Sequence, residues 1–233
     1  MPPGPKSSTQ PGAVTTPTPA QPSPPAPTPT KDQPPTGPAP TEALRIVAFG
    51  DSLTAGLGLA QEDAYPAQLQ RRLEQTGYRY TVVNAGVSGD TTAGGVRRVD
   101  WVLKTHPSIV ILELGTNDGL RGLKLDQTEA NLRQIIERLR ASGSKVVLVG
   151  MKLPPNYGAE YTHQFSALFE RLARQYQLLY LPFFLHGVAA QPSLNQADGI
   201  HPTADGYRII VEHMLSAIQP FLKKDLVATP ASS

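Results

Sequence analysis

The sequence predicts an α/β fold, with helices layered on both faces of a mainly parallel sheet of five strands. Two observations carry this. From Leu44 to Leu222, short apolar runs alternate with longer stretches in which apolar residues recur every three to four positions. Gly, Pro and Asn punctuate the junctions between them. Strands that alternate with helices of about 10–15 residues imply right-handed crossovers and parallel pairing.

The elements follow in order. Residues 44–49 form an apolar run that ends at Gly50 and reads as a buried strand. Residues 64–75 have helical spacing, closed by Gly77, and 80–83 form the second strand. A helix is expected over 92–105 and a third strand over 109–112, Ile-Val-Ile-Leu. Residues 128–141 place Leu132, Ile135, Ile136 and Leu139 on one helical face, with Gly143 just beyond. Residues 146–149 give the fourth strand, 161–176 a helix, 178–181 a short fifth strand and 203–221 the last helix. Strands buried on both faces read as continuous apolar runs, so the most apolar ones belong in the centre.

The first 40 residues differ in kind. They hold 15 of the 24 prolines, a single Val, and no Leu, Ile, Phe, Tyr or Trp. Such a segment cannot bury enough apolar surface to offset the entropy of ordering it. Residues 1–41 are therefore expected to be a disordered Pro/Thr-rich extension of polyproline character, either a tail with no partner or a spacer behind a membrane anchor or export signal. Residues 42–222 form the single folded domain and 223–233 a tail.

Composition excludes several functions. The net charge is +2 with no basic run, so no nucleic-acid face is expected. There is no cysteine, which removes disulfides, thiolate metal sites and a cysteine nucleophile. No apolar stretch approaches the roughly 18–20 residues that span a bilayer, and no signal-peptide apolar segment is visible. The remaining histidines, His106, His163, His186 and His213, lack the spacing of a metal pair. No phosphate loop, dinucleotide fingerprint or Gly-x-Ser-x-Gly elbow occurs.

Ligands bind at the carboxyl ends of strands in an open parallel sheet. The first strand is followed by Gly50-Asp51-Ser52-Leu53, the second by Asn84-Ala85-Gly86-Val87-Ser88-Gly89-Asp90, and the third by Gly115-Thr116-Asn117-Asp118-Gly119. Asp198-Gly199-Ile200-His201-Pro202 precedes the last helix, which Pro202 is expected to start. One edge thus gathers the parts of an acyl-transfer site. Ser52 needs a base to become a nucleophile, and His201 can be one, since a histidine side chain in water has a pKa near neutrality. Asp198, three residues earlier, can fold back onto the near ring nitrogen and leave the far one for Ser52. The N–H groups of Ser52 and Gly89 and the amide of Asn117 are candidate oxyanion donors. Each part alone has an ordinary explanation: Ser52 as a helix N-cap, His201 as a surface residue, Gly89 and Asn117 as turn residues, Asp51 and Asp118 as turn braces. Their coincidence at one edge favours chemistry.

These four blocks resemble those of the SGNH, or GDSL, hydrolases, over essentially all of residues 44–222. Within that family the stretches Asn84–Thr91, Asn117–Gly122 and Leu153-Pro154-Pro155-Asn156-Tyr157-Gly158 are similar to the thioesterase I, lysophospholipase L1 and arylesterase group. The resemblance implies a flavodoxin-like three-layer α/β/α sandwich, no cofactor, and hydrolysis of thioesters, aryl esters or lysophospholipids. The substrate is then a small-molecule or lipid ester, and the protein is expected to be a monomer. Because many members are exported, and the Pro-rich segment suits a spacer, a periplasmic or cell-envelope location is expected. Thr116 departs from the group's pattern, which has a second glycine there. Leu120, Leu123, Leu153, Pro154, Pro155 and Tyr157 lie on loops that could form an apolar acyl groove; the alternative is that they merely pack the loops. The rival readings are a carbohydrate O-acetyl esterase with a more polar site, and a noncatalytic binding module on a spacer.

Overall fold

A computed structural model describes residues 44–223. The expectations for residues 1–41 and for the tail beyond Lys223 lie outside the described residues. In chain order the elements are β1 (Leu44–Gly50), α1 (Ser52–Ala55), α2 (Tyr65–Gln75), β2 (Tyr80–Gly86), α3 (Thr92–Leu103), β3 (Ile109–Glu113), α4 (Thr116–Leu120), α5 (Leu125–Ala141), β4 (Lys145–Val149), α6 (Ala159–Tyr176), β5 (Leu179–Leu181) and α7 (Ala204–Ile218). The strands form one sheet in the order β2-β1-β3-β4-β5, and every pairing is parallel.

The strand order and the hand of the crossovers together distribute the helices. The chain moves from β1 to β2 in one direction along the sheet, then from β2 past β1 to β3, β4 and β5 in the other. Right-handed crossovers therefore place α2 on one face and α3, α5 and α6 on the opposite face. The packing follows: α3 lies on α5 and α5 on α6, while α7 returns to pack on α2. The direction reverses between β1 and β3, and that is where such sheets bind ligands.

Burial explains why the predicted elements form. All five residues of β3 are buried, as a central strand requires. Leu132, Ile135, Ile136 and Leu139 of α5 are completely buried, each contributing about 1.5–3 kcal/mol by removal from water.

The structure also departs from the predicted boundaries. β2 runs on through Asn84-Ala85-Gly86, which pair with Ala48-Phe49-Gly50; pairing with β1 overrides the turn tendency of Asn and Gly. α5 starts at Leu125 rather than 128. The helices α1 and α4 were not predicted, because four and five residues are too few for periodicity to register. Pro202 does not start the last helix: Thr203 is its N-cap, accepting from the Gly206 N–H at 3.3 Å, and Pro202 forms an antiparallel bridge with Asn195. α7 ends at Ile218, and a 3-10 turn over Gln219–Phe221 completes the stretch. Among the described residues no helix is long and apolar enough to cross a membrane.

Gly86 closes β2 against α1. A Cβ there would stand 2.2 Å from the Ala55 nitrogen and 2.6 Å from its Cα. Backbone cannot swing aside as a side chain can, so Gly86→Ala is expected to destabilise the fold by about 1–3 kcal/mol. Urea unfolding would measure this, and an unchanged midpoint would contradict the close approach.

Candidate active site

The strand β1 delivers the chain to Asp51 and Ser52 at the sheet's switch point. Asp51, not Ser52, caps α1: its Oδ1 accepts the Leu53 N–H at 3.0 Å. Ser52 is the first residue of α1, so its N–H belongs to the set that a helix leaves without an intrahelical partner. The loop before α7 brings the other two residues. His201 Nε2 lies 2.9 Å from Ser52 Oγ, and His201 Nδ1 lies 2.7 Å from Asp198 Oδ2. Asp198 Oδ1 accepts two backbone N–H groups, from Ile200 at 2.9 Å and His201 at 3.0 Å. Gly199 permits this tight fold-back with φ of +71°. The His201 and Ile200 N–H groups, with the imidazole, hold the Asp198 carboxyl down at about 2. It is therefore ionised at neutral pH, and it can hold the imidazole with its proton on Nδ1, leaving Nε2 to accept from the Ser52 hydroxyl.

Gln196 supports this loop, although sequence reasoning did not single it out. Its side-chain amide donates to the carbonyls of Leu57 (2.8 Å) and Pro202 (3.0 Å), and its N–H to that of His201 (2.7 Å). The loop carrying His201 is thereby tied to the loop that follows α1.

The two other predicted loops converge beside Ser52. Gly89 sits at φ +77°, and its carbonyl accepts from Arg121 Nη2 at 2.8 Å. Asn117 Nδ2 donates to the Asp90 carbonyl at 2.9 Å and to Asp51 Oδ2 at 3.1 Å. Both hydrogens of that amide are engaged, one of them by the residue next to Ser52. Asp118 is a brace: its carboxylate accepts the Thr92 N–H (2.9 Å) and hydroxyl (2.6 Å), and so fixes the start of α3. Thr116 is buried at the start of α4.

Two charged residues that the sequence reading passed over organise the edge from below. Arg98 on α3 donates to the carbonyls of Gly50 (2.8 Å) and Ala85 (2.6 Å), pairs with Asp90 (2.6 Å) and lies over the Phe49 ring. It clips the ends of β1 and β2 to the Gly89 loop. Glu113, at the end of β3, is fully buried and accepts from Thr54 Oγ1 at 2.9 Å and the Asp51 N–H at 3.3 Å. Burial pushes Asp51 up to about 6, and burial followed by the Asp51 charge holds Glu113 well above the ordinary glutamate range. A signal existed for Glu113: it is the sole charge in the apolar run 109–114.

The expected groove residues divide. Leu123, Pro154 and Pro155 are exposed, Leu120 and Tyr157 half-buried. Tyr157 and Tyr161 hydroxyls donate to the Leu120 and Leu123 carbonyls, both at 2.9 Å, and stitch the loops after β3 and β4 together. Leu153 is buried, and a Cβ on Gly119 would lie 2.8 Å from its Cδ2. It packs the loops. Among the described residues no group of three or more His, Cys, Asp or Glu side chains is placed to hold a metal ion.

The profile of the GDSL-like Lipase/Acylhydrolase family matches residues 48–209, from within β1 to within α7. The chain is 43% identical over 181 residues to Esterase TesA of Pseudomonas aeruginosa, covering 77% of this chain and 90% of that one. It is 40% identical to Thioesterase 1/protease 1/lysophospholipase L1 of Escherichia coli, again over 181 residues, 77% of this chain and 86% of that one. A crystal structure of TesA superposes with a TM-score of 0.74 at 42% identity, covering 76% of this chain and 99% of that one. With the family profile spanning most of the domain and relatives this similar over most of their length, the chain belongs to the GDSL-like lipase/acylhydrolase family.

Proposed function

We propose that this protein is a serine esterase that hydrolyses carboxylic ester and thioester bonds through an acyl-enzyme on Ser52. Family membership makes it an ester-hydrolysing enzyme. The observation that carries the residue assignment is the unbroken line from Asp198 through His201 to Ser52, at 2.7 and 2.9 Å. Ser52 Oγ attacks the acyl carbon while His201 Nε2 takes its proton. Asp198 stabilises the imidazolium that forms. The N–H groups of Ser52 and Gly89 and the amide of Asn117 bind the oxyanion. His201 returns the proton to the departing alcohol or thiol. It then takes one from water as the water oxygen attacks the acyl carbon, and passes it to Ser52 Oγ as the acyl–Oγ bond breaks and the acid leaves.

The exposed and half-buried apolar residues after β3 and β4 favour acyl or aryl substrates over a sugar O-acetyl group. A binding module would have no use for the complete Ser52, His201 and Asp198 line. Of the groove residues, Leu123 is the informative one, because its exposed side chain can meet an acyl chain, whereas Leu153 is committed to packing.

Three outcomes are expected with p-nitrophenyl esters from acetyl to palmitoyl. Ser52→Ala lowers kcat at least about 10⁴-fold; turnover close to that of the unaltered protein would refute the nucleophile. Asp198→Asn leaves the fold intact but lowers kcat about 10²- to 10⁴-fold, since the imidazole loses its anchor; a wild-type rate would remove Asp198 from the mechanism. Leu123→Ala raises KM more for long acyl chains than for acetyl, and an equal change for all would place the groove elsewhere.

A further inference from the structure

Behind Ser52 lie two carboxyl groups that the serine mechanism does not use. Asp51 and Glu113 are neighbours: Glu113 Oε2 accepts the Asp51 backbone N–H at 3.3 Å and the Thr54 hydroxyl at 2.9 Å. Two neighbouring carboxylates kept from water repel each other, which favours one of them as the neutral acid. Glu113 is completely buried, and its Oε1 has no partner among the described residues. A charged carboxylate with an unsatisfied buried oxygen is far more costly than the neutral acid. Asp51 is better served as the anion, because it accepts the Leu53 N–H at 3.0 Å and the Asn117 amide at 3.1 Å. The groups facing the pair do not neutralise a second charge. Tyr65 on α2 and Tyr207 on α7 are buried phenols that burial keeps protonated. His201 faces Asp51 from the loop before α7. Arg98 of α3 is committed to the Gly50 and Ala85 carbonyls and to Asp90.

We propose that Asp51 and Glu113 hold one shared negative charge, with the proton on Glu113, and that Asp51 is a positioning residue acting through Asn117. The inference rests on the role of Asn117 as an oxyanion donor proposed above. Asn117 is held from two sides, by the Asp90 carbonyl and by Asp51. The Asp51 bond is the longer, and its hydrogen is the one to be shared with the substrate oxygen as negative charge develops there. A doubly charged pair at this position would oppose that oxyanion. A pair with one charge orients the amide at a smaller electrostatic cost.

The experiment pairs kinetics with stability on Glu113→Gln and Asp51→Asn. Gln reproduces a protonated Glu in shape and in its donor, so kcat is expected to stay within about threefold. Asn at 51 has one acceptor oxygen where the carboxylate has two, and it cannot hold both Leu53 and Asn117. Its kcat should fall about 10²-fold with KM within about twofold. Stability gives a readout that needs no activity. The native state keeps a proton on Glu113 that the unfolded chain releases above the ordinary value of 4.5. The wild type should therefore lose thermal stability relative to Glu113→Gln as pH rises from about 4.5 towards neutrality. A constant difference between the two across that range would show Glu113 ionised and overturn the proposal. So would a Glu113→Gln enzyme as impaired as Asp51→Asn, or an Asp51→Asn enzyme with wild-type kcat. Because the stability measurement is independent of ester hydrolysis, its result stands whether or not the serine mechanism does.

Discussion

The site depends on one register. Gly50 pairs with Gly86 on one side of β1 and with Glu113 on the other, so three strands end level with one another at the sheet's switch point. Everything that follows those strands must then lie side by side: Ser52 after β1, the Gly89 loop after β2, and Asn117 after β3. The level ending leaves little space. A Cβ on Gly50 would stand 2.0 Å from Thr54 Oγ1 and 2.5 Å from Glu113 Oε2. Two glycines are thus the condition for bringing α1 down onto the strand ends, and for setting Ser52 where three loops can reach it. A slip by one residue would turn each strand's side chains to the opposite layer and separate those loops.

The fourth loop arrives by a different route. His201 and Asp198 come from the segment after β5, at the far edge of the sheet; the Asn195–Pro202 bridge closes their loop on itself, and no pairing with the sheet positions it. Side-chain bonds fix the loop to the rest of the domain. Gln196 ties their loop to the residues following α1, and Tyr207 on α7 donates to the Leu53 carbonyl at 2.7 Å. The proposed catalytic line therefore combines a rigid half, built on the sheet, with a half held by a few polar contacts. Asp198 is well exposed at 46% of its side-chain surface. Its value to the site lies in orientation rather than in a buried charge pair, since exposed pairs add little stability.

Much of this was legible before any coordinates. The strands and long helices announced themselves by periodicity, and the four motif loops by their place after apolar runs. What was illegible had physical reasons. α1 and α4 are too short to carry a period, and their limits come from a side-chain cap at Asp51 and a left-handed glycine at Gly115. The end of β2 was hidden because Asn-Ala-Gly is turn-like in isolation, and only the partner strand makes it extended. Arg98, Gln196 and Glu113 escaped for a further reason. Each acts through contacts with residues distant in the chain, and nothing at sequence level distinguishes such a residue from a surface arginine, a loop glutamine or a strand-end acid. Loop position alone could not sort the residues named for an acyl groove: burial separates Leu153, which packs, from Leu123, which is exposed.

The central claim is that the acyl group passes through Ser52. Its most direct test is to quench the enzyme during turnover of a slowly deacylated p-nitrophenyl ester and to map the adduct by peptide mass spectrometry. The account predicts one acyl group on the peptide containing Ser52, lost when Ser52 is replaced by Ala and accumulating when His201 is too slow to activate water. An adduct on a different residue, or ester turnover with no adduct at any quench time, would contradict it.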